Sequence, residues 1–185
     1  HGRGDQRQCP CGAAGPGTVS QRMQCLPPVI GRGTRLLLLG SFPGAASLAA
    51  GQYYAHPRNQ FWPLLSALLG EDLVALDYGP RLRRLRGHGL GLWDVIAECE
   101  REGSLDSAIR EARYNDLGGL RRLAPQLVAV AHNGGESARA MRITGRLGLQ
   151  VFRLPSSSPA NASWSFERKL AAWRKVFDAC GVGRG

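Results

Sequence analysis

Two stretches of this chain carry side chains whose types and spacing suit chemistry on a flat polar ligand. The first is Gly40-Ser41-Phe42-Pro43-Gly44, a small-residue turn at the end of an apolar run. The second is Gln52-Tyr53-Tyr54-Ala55-His56-Pro57-Arg58-Asn59-Gln60-Phe61-Trp62, where amide, imidazole and aromatic groups crowd into eleven positions. A buried strand feeding a turn of small residues, with aromatics and amides just beyond, is the layout of a pocket. Within it His56 could serve as an acid or a base, and Phe61 offers an aromatic face for stacking. Tyr54 is a further candidate. His56 also precedes Pro57 and reads equally as a turn residue, and Trp62 reads as a core aromatic at the start of an apolar helix. Further on, His132-Asn133-Gly134-Gly135 and Leu154-Pro155-Ser156-Ser157-Ser158-Pro159-Ala160-Asn161 are loops of similar character. Asn133 can present both a donor and an acceptor, or can cap the helix that follows it. The three serines offer hydroxyls, with Pro159 and Ala160 small and apolar behind them.

These loops need a scaffold, and the pattern supplies one. Arg35 to Leu39, Gln126 to Ala131 and Gln150 to Leu154 read as buried strands, and Leu90 to Ile96 as a short apolar segment. Phe61 to Leu69 and Ser137 to Leu147 read as helices, Leu82 to His88 as a basic helix or turn. Phe166 to Cys180 carries Phe166, Leu170, Trp173, Val176 and Phe177 at three-to-four spacing, an amphipathic closing helix. Strands alternating with helices predict a three-layer α/β/α fold around a mostly parallel sheet of about four strands. Ligand sites in such folds lie at the carboxyl ends of the strands, which is where all three loops fall.

The 185 residues are enough for one domain, since about 150 residues bury roughly 70% of their unfolded surface. Residues 1–22 are rich in Gly, Gln and Arg, lack apolar periodicity, and read as a flexible extension; 23–185 read as one globular domain beginning at Met23. No apolar run approaches the ~20 residues that span a bilayer. The formal charge is +10, and residues 1–34 hold four arginines against Asp5, so most of that charge belongs to the globular part. Such a balance favours a polyanionic partner. The only lysines among 24 basic residues are Lys169 and Lys175. Arg suits bidentate phosphate contacts, although an arginine-rich genome would give the same bias. Arg81, Arg83, Arg84 and Arg86 form either a phosphate-facing surface or a solvated helix face. Five scattered cysteines do not resemble a disulfide framework and point to a reducing compartment. Cys9-Pro10-Cys11 lacks a second pair, so neither a metal nor another cofactor is expected.

The quoted segments resemble the uracil-DNA glycosylase superfamily over about Pro27 to Phe177. The run Gln52 to Asn59, together with Gly91-Leu92-Trp93-Asp94-Val95-Ile96 and Gly103-Ser104-Leu105-Asp106-Ser107, is similar to its hypoxanthine-DNA (deoxyinosine) glycosylase branch. The resemblance implies a DNA-repair enzyme that flips a deaminated base from DNA and hydrolyses its N-glycosidic bond. The product would be an abasic site for downstream repair enzymes, made by a cytoplasmic, nucleoid-associated monomer. Gly40, Ser41, Phe42, Gly44, Phe61 and Asn133 would then hold the base, and Ser156, Ser157, Ser158, Pro159 and Ala160 would grip and wedge the DNA. Phe42 stands where uracil-specific relatives carry Asp, and Leu154 where the last motif often opens with His. The hypoxanthine branch is thought to use an Asn just after the first motif, and the resemblance maps that role onto Asn59, which would hold the water through its side-chain oxygen, with amides near Ser41 donating to the base. Gly44 stands where uracil-specific relatives carry a bulky Tyr, which opens the pocket to a purine. Release of uracil or xanthine, or binding of lesions without cleavage, are the alternatives.

Overall fold

The computed structural model describes residues 21–183. The Cys9–Cys11 pair and nearly all of the predicted extension lie outside the described residues. Arg22, assigned to that extension, instead opens strand β1 (Arg22–Gln24), where its guanidinium bonds Glu98 at 3.2 Å.

Four parallel strands form the centre: β2 (Leu36–Gly40), β3 (Leu90–Asp94), β6 (Ala129–Asn133) and β7 (Gln150–Leu154), in the order β3-β2-β6-β7. The four consecutive leucines of β2 follow from its central place, because a strand covered on both faces has no solvent side to be polar. Leu36 and Leu38 point into one core with α2 (Phe61–Leu69) and α7 (Phe166–Ala179), and α3 (Tyr78–Gly87) joins them through Leu85. Leu37 and Leu39 point into a second core with Phe42, Trp93, Val130 and the short helix α4 (Leu120–Leu123). The result is the three-layer α/β/α arrangement. No helix of the described residues is long and apolar enough to cross a membrane.

Helix α2 runs over the predicted residues and ends at Gly70, whose φ of 67° is the left-handed geometry that closes a helix. Helix α7 is capped by Ser165, whose side chain accepts the Arg168 N–H. The predicted helix over 137–147 divides into α5 (Gly135–Ala138) and α6 (Met141–Thr144). The break turns Ser137 and Thr144 inward, and their hydroxyls meet the two ring nitrogens of buried His132 at 2.9 and 2.8 Å. That histidine is a satisfied core residue, held neutral because burial pulls it down to about 4.

A second sheet, of β1, β4 (Ile96–Glu100) and β5 (Arg110–Tyr114), is antiparallel and has no counterpart in the sequence reading. The chain leaves the parallel sheet at Val95, whose N–H bonds Gly40, and continues into β4 and β5. These strands are short and charged, with Glu98 bonding Arg22, Gln24 and Arg113, so they carry no apolar alternation to betray them. Between them, residues 101–109 form a loop that reaches back over the carboxyl ends of β2 and β3. The short helix α1 (Ala45–Ala50) follows the β2 turn.

Candidate active site

The chain passes from β2 to β3 on one side, then crosses back to β6 on the other. Ligands of open α/β sheets bind outside the strand ends where the order reverses in this way. A cavity of about 790 Å³ lies there, lined by Gly40, Asp94, Asn133 and Leu154, the last residues of the four parallel strands. Gly40 is required by the approach of its neighbours. A Cβ at this position would stand 2.5 Å from Asp94 Oδ1 and 3.0 Å from the Tyr54 hydroxyl, so only glycine lets both groups close over the strand end.

Tyr54 occupies a left-handed backbone conformation, φ 56°, unusual for an aromatic residue and held here by its contacts. Its ring stacks on Phe61 at 3.8 Å between centroids, 14° from parallel. Phe61, expected from sequence to stack on the base, is fully buried and does not line the cavity, whereas Tyr54 does. Trp62 is buried in the core, its indole N–H donating to the Tyr53 carbonyl at 3.0 Å.

From Tyr54 a chain of hydrogen bonds crosses the cavity wall. Asn133 donates through Nδ2 to the Tyr54 hydroxyl at 3.3 Å and to Ser157 Oγ at 3.0 Å. Its Oδ1 accepts the Ser157 N–H at 3.0 Å. Ser157 Oγ donates in turn to Asn59 Oδ1 at 2.9 Å, and the Phe61 N–H donates to the same oxygen at 3.0 Å. Two sequence expectations change. Both N–H bonds of Asn133 point at protein oxygens, which leaves one lone pair on Oδ1 and removes the donor half of the base-reading role. Asn59 cannot hold a water through its oxygen, which already accepts two hydrogen bonds; the group it can offer the cavity is its N–H₂.

Acidic groups form the other side. Asp94 is 4% exposed and its Oδ2 has no hydrogen-bond partner. Burial, and next the charge of Asp106, push its carboxyl up to about 7, with Arg101 opposing. Asp106 lies at the rim and accepts from Ser41 Oγ at 2.7 Å. Arg101, itself buried, donates to the Pro43 and Gly103 carbonyls at 2.6 and 2.9 Å and lies over the Phe42 ring. Ser104 Oγ accepts the Ala45 N–H at 2.9 Å. The loop over 101–107 is thereby tied to the turn after β2, and Phe42 serves as an apolar wall.

Residues 27–177 match the family described as the uracil DNA glycosylase superfamily. The chain belongs to that superfamily. It is 39% identical over 156 residues to a protein of Methanosarcina barkeri (strain Fusaro / DSM 804) named hypoxanthine DNA glycosylase, covering 84% of this chain and 98% of the relative. A protein of the same name from Methanosarcina acetivorans is 37% identical over 151 residues, 82% of this chain and 95% of its own length. A Methanosarcina acetivorans protein solved in solution by NMR superposes with a TM-score of 0.79 at 35% identity, over 87% of this chain and 99% of the other.

The remaining loop residues of this superfamily member take different places. Ser157 is buried and serves the network above, so it is not the phosphate ligand expected from sequence. Ser156 Oγ accepts the Ser158 N–H and Ser158 Oγ the Ala160 N–H, each at 3.1 Å, and both half-buried serines line the cavity. Pro159 and Ala160 are exposed at the rim. Ser41 and Gly44 line the cavity, as does His56, whose Nδ1 accepts the Arg58 N–H at 3.1 Å in the turn predicted for it. The basic run is partly engaged elsewhere: Arg81 donates to three carbonyls and covers Trp62, and Arg84 makes two bonds to Glu71. None of that run lines the cavity, whereas exposed Arg153 does. Leu105, 58% exposed, lines it too. Lys169 bonds Gln60 at 2.9 Å, one residue from Asn59, yet it is buried and does not reach the cavity.

Sequence reasoning missed Asp94, Asp106, Arg101 and Arg153 as individual site residues. The first two lie within segments that carried the family resemblance. Arg153 lies next to the end of β7, which reads as a buried strand in the sequence but is a half-exposed strand at the edge of the sheet.

Proposed function

We propose that this chain is a monofunctional DNA glycosylase that flips a deaminated base out of DNA and releases hypoxanthine, leaving an abasic site. The observation that carries the substrate is the near full-length likeness to the two Methanosarcina proteins named hypoxanthine DNA glycosylase. The cavity supports it. At Gly44 the nearest obstacle to a Cβ is Ser104, 3.6 Å away, so nothing built on the turn narrows the mouth against a purine.

Breaking the N-glycosidic bond places positive character on the sugar and negative charge on the base. The protein must orient a water and meet the charge on the base. Phe42 can do neither. Asn59 orients the water by donating from Nδ2 to its oxygen, which keeps a lone pair for C1′; a cationic sugar needs little further activation of the nucleophile. Tyr54 stacks on the extruded base, an interaction of about 1–3 kcal/mol for aromatic faces. Ser156, Ser158 and Arg153 hold phosphates, while Pro159 and Ala160 enter the gap left in the duplex. Among the described residues no lysine lines the cavity, so no lysine amine is placed there to form a Schiff base. The enzyme acts as a monomer on DNA in the cytoplasm, and abasic-site repair enzymes take its product.

Single-turnover cleavage of an inosine-containing duplex by the protein and by Asn59→Ala tests this account. The expected result is a drop of at least tenfold, about 1.4 kcal/mol of barrier, with thermal unfolding confirming that the variant folds. Equal rates would remove Asn59 from the reaction. Tight binding with no cleavage by either form would favour a lesion-binding module, the reading that apolar Phe42 and Leu154 otherwise encourage.

A further inference from the structure

We propose that Asp94 is the proton donor to the departing base, delivering its carboxyl proton to a ring nitrogen of the purine as the glycosidic bond breaks. The inference rests on reading the cavity as a glycosylase site and assigns a second catalytic group within it.

Burial and the lack of a partner set Asp94 apart from the neighbouring polar groups on the cavity wall. Ser41 is bonded to Asp106, Tyr54 to Asn133, Asn133 to Ser157, and Ser157 to Asn59. Asp94 ends β3 beside Gly40, lines the cavity, is 96% buried, and has an oxygen with no partner. An unpaired buried carboxylate is among the costliest groups in a protein, and it escapes that cost by keeping its proton. The groups facing it come from each packed element. Asp106, on the loop between β4 and β5, disfavours its charge, and Arg101 at the end of β4 favours it. Tyr53 and Tyr54, from the segment after α1, are phenols that burial holds neutral, and the Cys25 thiol is likewise held protonated by burial. With its carboxyl at about 7, Asp94 keeps its proton in about half of the molecules at neutral pH and can release it in the reaction.

The step balances without a co-reactant beyond water. The C1′–N9 bond breaks with its electron pair going to the purine, and the Asp94 proton goes to a purine ring nitrogen, so the base leaves neutral. Water adds to C1′ and loses a proton to solvent, and from solvent the Asp94 carboxylate is recharged.

The test is the pH profile of single-turnover release from an inosine duplex by the protein and by Asp94→Asn, which keeps the shape and removes the acid. The protein is expected to lose rate as pH rises above about 7, where the acid ionises. The variant is expected to be about 10²-fold slower and to lack that limb. Its affinity for an inosine duplex with an uncleavable 2′-fluoro sugar should be unchanged, which a merely structural role would not leave intact. Thermal unfolding at pH 8 checks the fold, and the variant should melt higher than the protein because it removes a buried carboxylate. If the protein releases inosine's base and the variant matches it, or if the rate rises through pH 7 as for a base, the assignment to Asp94 is overturned and the glycosylase reading stands. If the protein releases no base at all, both fall.

Discussion

Gly44 and Asp94 show how much single residues decide here. Gly44 lines the cavity and touches nothing closer than Ser104, so its lack of a side chain is a matter of space and not of backbone conformation, its φ being an ordinary −66°. Gly44→Tyr should therefore leave the fold intact and discriminate by size. Release of hypoxanthine should fall at least tenfold relative to release of uracil, since misfit of a few atoms in a pocket costs about 1–3 kcal/mol; competition between the two substrates measures the ratio, and an unchanged ratio would mean that Gly44 does not set the width. Asp94 contributes to stability with a definite sign. Its folded-state value lies above that of an exposed aspartate, so its burial weakens the fold progressively as pH rises from about 4 to about 7. His132 acts oppositely, being depressed to about 4, so its contribution is present above about 6.5 and is lost as pH falls toward 4. Neither environment was legible in the sequence. Asp94 closes an apolar Gly-Leu-Trp run and looks like an ordinary turn residue; its burial follows from pairing with Gly40 in the β2–β3 register. His132 was visible, but the hydroxyls that satisfy it come from two helices that read as one.

At the scale of elements, the site depends on the loop after β7 being fastened to the segment before α2. Ser157 is the fastener: its N–H and hydroxyl connect Asn133 to Asn59, and its carbonyl accepts the Gln60 N–H at 3.0 Å. Ser157→Ala removes the hydroxyl and leaves Asn133 Nδ2 with a lost partner, which should cost about 1–3 kcal/mol of stability and slow base release by about tenfold. Ser156→Ala and Ser158→Ala, at half-buried serines that line the cavity, should weaken DNA binding with little change in melting temperature. Calorimetry and a binding titration separate the two classes, and a Ser157 variant behaving like its neighbours would contradict the tether. The strands, α2 and α7 were legible because their apolar periodicity is long and unbroken. The antiparallel sheet was not, because β4 and β5 are stabilised by pairing and by charged neighbours. The same limit hid the different places of three adjacent serines and the presence of Tyr54, not Phe61, at the cavity, where Tyr54 has a left-handed backbone.

At the scale of the whole molecule, a parallel sheet with its order reversing between β2 and β6 gathers four strand ends around one cavity, and a net charge of +10 gives the protein an attractive field for DNA. The fold class and the edge of the sheet that holds the site could be read from alternation alone. The placement of charge could not, since much of the arginine run on α3 is engaged with carbonyls and Glu71, while Arg153 stands at the cavity. The central claim is that this cavity cuts a purine from its sugar. It is met most directly by single-turnover assay of matched duplexes carrying inosine, uracil or xanthosine, with the released base identified by mass and the product strand checked for an alkali-sensitive abasic site. The expected result is fastest release from inosine, with hypoxanthine and an intact abasic strand as products. Release of uracil with inosine untouched, or retention of every base despite tight binding, would contradict it.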